Sequence, residues 1–297
     1  MIVLSASRRT DIPAFYMDWF MEGIRAGGFQ VENPYNGRVS RVPADPGRVA
    51  AIVFWSKNYH AFLEGGYAAE LLERGYRLFF HFTVNSPHKV LEPGLPDLDE
   101  RLHQVRKLTE LVPPEAVNWR FDPVCWFRNG RGEVQNNLAD FVTIAECMAR
   151  AGVSTCTTSF LDIYPKVRRR AQLEARLEFM GVEQEKRIRV LGRMNQVLKS
   201  LGIRLQVCCE KELWEALGLQ EGIRPGACVS HERLEAIYGP LALSHRRDRG
   251  QRSAAGCGCH ESRDVGSYRR QPCGHGCLYC YGNPVRAEGR CGKGGGP

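Results

Sequence analysis

Six times between Met1 and Leu217 a short apolar run gives way to a stretch of helical periodicity, and this alternation restricts the fold more than any other feature of the chain. The apolar runs are Ile2–Leu4, Ala50–Trp55, Tyr76–Thr83, Val117–Pro123, Val153–Phe160 and Ile203–Cys209. All are short, and polar residues follow them, as expected of buried strands. The helical stretches are Ala14–Ala26, His60–Arg74, Leu98–Val112, Leu138–Ala151, a charged region Lys166–Leu201 that Gly181 divides, and Lys211–Leu217. Strands that alternate with helices pair in parallel, because each right-handed crossover returns the chain in the same direction. The expected fold is therefore α/β, a partial (β/α)6 TIM-like barrel over residues 1–220.

Local signals agree with this outline. Asp11 can cap the first helix and Pro13 is acceptable in its first turn. Residues 29–42 alternate apolar and polar around Asn36-Gly37, which predicts a surface hairpin inserted after that helix.

In a barrel of this kind active sites form at the strand C-terminal ends. Here those ends carry Ser5, Ser7, Arg8, Arg9 and Asp11; Trp55 to Asn58, including Lys57; Thr83 and Asn85; Arg120 and Asp122; Thr158, Ser159 and Asp162; and Cys208, Cys209 and Glu210. Each residue alone fits a helix cap or a loop hydrogen bond equally well. Together they form a polar ring, and Arg8, Arg9, Asp11, Lys57, Arg120, Asp122 and Glu210 are the candidates for gripping a cofactor and a substrate.

After Leu219 the alternation stops. Cysteines then crowd the chain: six of the twelve, Cys228, Cys257, Cys259, Cys273, Cys277 and Cys280, fall between residues 228 and 280. Cys273-x3-Cys277-x2-Cys280 is the tightest group. As a zinc knuckle it would recruit Cys257, Cys259, His260 or His275. As an iron–sulfur site it gains from Gly274 and Gly276, which let backbone N–H groups approach the sulfides. Buried structural thiols are the third reading, against which the polar Gly274-His275-Gly276 counts. One of Cys208 and Cys209, the second being the candidate, together with Cys228, Cys257 and Cys259 offers four ligands for a second cluster or a zinc; core thiols and a plain loop are the alternative. Cys125, Cys147 and Cys156 read as packing residues. Residues 221–286 are expected to fold back over the barrel mouth, and 287–297, with Cys291 as a free thiol, to form a disordered tail.

Composition narrows the class. With 43% hydrophobic and 25% charged residues the chain is globular material, long enough for one large domain or a domain with an appendage. It has no apolar run long enough to span a bilayer, and its first residues lack the basic region of a signal peptide, so a cytoplasmic protein with no membrane partner is expected. In a reducing compartment clustered cysteines favour metal over disulfides. The net charge of +8 comes from basic blocks at 166–170, 187–193, 245–252 and 269–270. These suit a nucleic acid or a phosphorylated metabolite, or simply a solvated surface.

The spacing C-x3-C-x-aromatic-C, with Tyr279 as the aromatic, resembles the signature of the radical S-adenosylmethionine (SAM) superfamily. The resemblance implies that Cys273, Cys277 and Cys280 bind a [4Fe–4S] cluster whose open iron chelates SAM, with Tyr279 near the adenine. It also implies a partial (β/α)6 scaffold, reductive cleavage of SAM to a 5′-deoxyadenosyl radical, and an electron donor such as flavodoxin or ferredoxin. In most of that superfamily the cysteine loop follows the first strand, whereas here it follows all six. The string from Cys257 to Tyr281, with Ser5-Ala-Ser-Arg-Arg-Thr-Asp-Ile-Pro13, resembles DUF1848, a family of uncharacterised bacterial proteins, over nearly the whole chain to about residue 286. That family supplies no substrate. DNA-lesion repair of the spore photoproduct lyase kind is one branch, for which the chain shows no single-strand stacking platform. The rival expectation is a non-catalytic zinc-binding adaptor for nucleic acid or protein on a barrel scaffold.

Overall fold

The six apolar runs become six neighbouring parallel strands: Ile2–Ala6, Val49–Ser56, Leu78–Thr83, Val117–Val124, Thr155–Phe160 and Arg204–Val207, called here the first to the sixth. Each pairs with its predecessor in this series. The computed structural model describes residues 1–33, 36–217, 222–250 and 255–282. Two short strands, Arg224–Pro225 beside the sixth and Arg263–Asp264 beside the first, extend the sheet to eight, again in parallel. The fold is mixed α/β, built on one large parallel sheet whose six main strands follow chain order.

The period-two alternation of a strand gives this sheet two unlike faces. Phe54, Phe80, Trp119 and Phe121 point to the helices, where they meet Phe62 and Phe141 at ring separations of 5.1–5.5 Å. Trp55, His81, Asn118, Arg120 and Thr157 take the other face, which is polar: Trp55 stacks on His81 at 4.0 Å and Asn118 bonds Thr157. The segment between the two edge strands lies against this polar face. The Cys228 carbonyl meets His81 Nε2 at 2.6 Å, and from helix His231–Tyr238 Arg233 donates to Asn118 Oδ1, also at 2.6 Å. The helix ends near the strand N-termini, where the Tyr238 hydroxyl donates to the Leu78 carbonyl. Of the segment expected over the barrel mouth, the described residues 222–250 and 255–282 therefore contribute to the sheet and cover its polar face as well as reaching the strand C-terminal ends.

Several elements differ from expectation. The first helix is two, Ile12–Phe15 and Met17–Arg25, because Tyr16 leaves helical geometry (φ −138°, ψ 28°) and its hydroxyl donates to the Pro272 carbonyl at 2.6 Å. The cap holds as read: Asp11 Oδ1 accepts the Ala14 amide. The stretch 60–74 breaks into His60–Glu64 and Tyr67–Glu73 at Gly65-Gly66, Gly66 being left-handed at φ +67°. Region 166–201 becomes two helices, Pro165–Ala175 and Gln184–Ser200, with strand Glu178–Met180 between them. That strand joins Trp126–Arg128 and Val134–Asn136 in a small antiparallel sheet that the sequence did not announce. The hairpin forms as Gly28–Glu32 against Val39–Pro43. The expected tail, with Cys291, lies outside the described residues. No helix among the described residues is long and apolar enough to cross a membrane.

Candidate metal centre

Ser7, Lys57, Thr83, Arg120, Ser159 and Cys208, from the C-terminal ends of all six strands, line one cavity of about 790 Å3. The same cavity is lined by Cys273, Cys277 and Cys280 and by Cys209, Cys228, Cys257 and Cys259.

The loop 273–280 is held from beneath by Arg170, a fully buried residue on helix Pro165–Ala175. Its Nη1 donates to the carbonyls of Cys277, Leu278 and Cys280 at 3.0, 3.0 and 2.8 Å. The Leu278 amide donates to Leu91 O, and the Gly94 amide to His275 O. A Cβ on Gly94 would stand 2.7 Å from that oxygen, so the close approach requires glycine. His275 is buried, and its Nε2 lies 2.8 Å from Asp11 Oδ2, which also accepts the Lys57 amide. The Gly274-His275-Gly276 stretch is thus a packed support: Gly274 abuts Phe15 and Gly276 is left-handed at φ +67°.

Beneath the loop sits a buried charge network centred on Glu92. Glu92 Oε1 accepts from Lys57 Nζ at 2.7 Å, from Asn85 Nδ2 and from the Tyr279 hydroxyl, and Arg101 Nη1 lies 3.9 Å from Oε2. Burial opposes the charge on Glu92, but Lys57 and Arg101 outweigh it and hold the carboxyl below its ordinary range. Burial likewise opposes the Lys57 charge, and Glu92 keeps the ammonium protonated. Burial, with Asp11 beside it, pushes the Cys273 thiol up to about 12; burial also raises Cys277, against the pull of Lys57. Both thiols are therefore held protonated at neutral pH, and a metal would have to displace those protons to bind.

The remaining candidates divide by geometry. Arg120 bonds Asp122, which accepts from Ser159, and this trio lines the cavity. Arg8 stacks 5.2 Å over Trp55, donates to Ser262, and takes Asp264 at its amide. Arg9 donates to Gly266 O. Asp11 lines the cavity but uses both carboxylate oxygens structurally. Glu210 stands outside the lining, where it accepts the Phe160 amide and faces Arg187; Gly274 is outside it too. Sequence reasoning missed Glu92, Arg101, Arg170 and Asp264. The first three lie in a loop or on amphipathic helices where charge is ordinary, and no local signal marks them as buried.

The second cysteine group closes into a ring of five. Cys208 Sγ lies 3.7 Å from Cys209 Sγ and 3.8 Å from Cys228 Sγ. Thiol contacts then join Cys209 to Cys257, Cys257 to Cys259, and Cys259 to Cys228. Among the described residues no three cysteine sulfurs lie within 4.8 Å of one another; the side chains that do so are Glu232, His245 and His260. His260 Nδ1 accepts the His231 amide, so its Nε2 carries the proton toward Glu232 and offers an ion no lone pair.

His81 supplies a stability test. Burial, opposed by the Cys228 thiol and reinforced by the Arg120 charge, holds its imidazole down at about 3. The folded protein keeps His81 neutral while the unfolded chain takes up a proton near the ordinary value, so stability present above that value is lost as pH falls toward 3. This one group is expected to cost about 2 kcal/mol between roughly pH 6.5 and 5. Urea denaturation across that range checks it, and His81→Gln should flatten the dependence; an unchanged profile would refute the assignment.

The structure thus defines a parallel α/β sheet with two sets of thiols facing one cavity at its strand ends. The sequence model described as "Domain of unknown function (DUF1848)" matches residues 3–282, and the chain belongs to that family. Comparison with curated proteins finds no match. Among solved structures, a D-hydantoinase is similar over 66% of this chain and 45% of its own, at 12% identity and a TM-score of 0.33. A dihydropyrimidinase from Brevibacillus agri is similar over the same shares at 13% identity and a TM-score of 0.31. The chain spans less than half the length of either, and likenesses of this size carry no argument about function.

Proposed function

We propose that the chain is a radical SAM-type enzyme on a partial (β/α)6 barrel, with Cys273, Cys277 and Cys280 holding a [4Fe–4S] cluster and SAM as the fourth partner. One observation carries the reading: the three-cysteine loop, although last in the chain, lies at the C-terminal ends of the strands and faces the cavity they line. The donor set fits. Its three sulfurs are not all within 4.8 Å of one another and line the cavity at the strand ends. That position over the polar strand ends favours the enzyme over the zinc-binding adaptor. When bound, the cluster would donate an electron, supplied by flavodoxin or ferredoxin, to cleave SAM to methionine and a 5′-deoxyadenosyl radical.

The chain's own residues would hold and orient. Tyr279, its hydroxyl fixed by Glu92, Lys57 and Asn85, presents its ring at the cavity beside the loop. Arg8 and the Arg120–Asp122 pair furnish charge for SAM or substrate. The cavity volume suits a small phosphorylated metabolite better than a nucleic-acid strand, and the reducing cytoplasm suits the thiols.

Anaerobic reconstitution with iron and sulfide, then dithionite and SAM, is expected to yield 5′-deoxyadenosine, and Cys277→Ala to yield none. A fully loaded cluster that leaves SAM intact would overturn the proposal.

A further inference from the structure

We infer that the five-thiol ring is a second metal centre, an iron–sulfur cluster ligated by Cys228, Cys257, Cys259 and one of Cys208 and Cys209. The inference goes beyond the proposed function and does not rest on it.

Five cysteines brought into a closed ring from three separate segments need a cause. The segments 207–209, 226–228 and 257–259 are laced by their backbones: the Gly226 amide donates to Val207 O at 2.7 Å and the Gly258 amide to Gly226 O at 3.2 Å. Both approaches are close enough to favour glycine, since a Cβ on Gly226 would stand 3.0 Å from Cys208 Cα and one on Gly258 would stand 3.0 Å from Gly226 O. Successive residues of a strand point to opposite faces, so two vicinal cysteines should not share a site. They do here because Cys209 turns left-handed at φ +58°, a conformation that costs a non-glycine residue on the order of 1 kcal/mol or more. Apolar packing does not call for that strain.

The surroundings are those of an anionic sulfur centre. Arg120 Nη1 lies 2.8 Å from Cys228 Sγ, and Arg8 interacts electrostatically with Cys259 and Cys228. Arg8 Nη2 is buried without a hydrogen-bond partner among the described residues. Neutral thiols are weak acceptors for it, whereas thiolates and sulfides would satisfy it. The Cys208–Cys209 and Cys208–Cys228 sulfur separations, 3.7 and 3.8 Å, match the edges of a zinc site, but no three cysteine sulfurs among the described residues lie mutually within 4.8 Å, so the sulfurs as placed do not close on one ion.

The test uses the full chain with Cys273, Cys277 and Cys280 all changed to alanine, reconstituted anaerobically with ferrous iron and sulfide. It is expected to retain iron and sulfide in equal amounts, at about half the wild-type content. Adding Cys257→Ala and Cys259→Ala should remove both, Cys228→Ala should do the same, and only one of Cys208→Ala and Cys209→Ala should. If the fivefold variant fails to fold, Cys257→Ser in the triple background gives the same readout. A triple variant that keeps wild-type far-UV circular dichroism but binds no iron overturns the inference, as does one zinc per chain without sulfide, or disulfides in place of metal. Iron retained by the triple variant, with no SAM cleavage by the wild type, would sink the proposed function and leave this centre standing.

Discussion

Replacing Arg170 with alanine is expected to abolish iron loading at the 273–280 loop and to lower stability by about 3–5 kcal/mol. One nitrogen of this guanidinium serves the carbonyls of Cys277, Leu278 and Cys280, and the residue is entirely buried. Without it three acceptors converge on a void, each carrying a desolvation cost of about 1–3 kcal/mol that water entry can only partly offset. The carbonyls would splay, and the sulfurs between them with it. Arg170→Lys keeps the charge but is shorter and lacks the planar fork, so partial loading is expected. Iron and sulfide content after anaerobic reconstitution, beside urea denaturation of the metal-free protein, separates the two effects. A stable Arg170→Ala protein that loads like the wild type would show that the clamp is incidental.

The second large effect belongs to Glu92. Glu92→Gln preserves shape but leaves Lys57 and Arg101 buried without their counter-charge, and a loss of about 3–5 kcal/mol at neutral pH is expected. The sign of the pH dependence is fixed by the direction of the shift. Because the folded carboxyl lies below its ordinary value of 4.5, its contribution is present above that value and is lost as pH falls through the lowered one. Wild type and variant should therefore differ most near neutrality and converge in acid. Denaturation midpoints that run parallel from neutrality down into strong acid would contradict the role given to the charge.

The strands were legible because buried parallel strands leave dense apolar runs bounded by polar residues, and all six appear within a few positions of where periodicity puts them. Helix breaks were not. Tyr16 interrupts its helix through a hydrogen bond to Pro272, 256 residues away, which no local pattern encodes. The three-residue strands at 126–128, 134–136 and 178–180 are too short for alternation to register. At the candidate site the cysteines announce themselves by spacing, but the spacing of Cys257 and Cys259 carries no hint that Cys208 and Cys209 face them. Asp11 shows a different limit: this polar residue at a strand end, read as a cofactor grip, lines the cavity but also serves a helix cap, the Lys57 amide and His275, contacts that no local pattern encodes. Arg170 and Glu92, which hold the loop, stayed hidden because burial of a charge is decided by tertiary neighbours.

The edge strand Arg263–Asp264 lies against Leu4 and Ser5, and Asp264 takes the hydroxyls of Ser5 and Ser7 and the Arg8 amide. On the ribosome, the residues that flank the first strand therefore wait for a partner made some 250 residues later. Until then one border of the sheet stays open to pairing with other chains. If both thiol sets take metal as proposed, the set from Cys208 to Cys259 is complete once Cys259 is made and the loop only after Cys280, so the two centres would be filled in that order and late in synthesis.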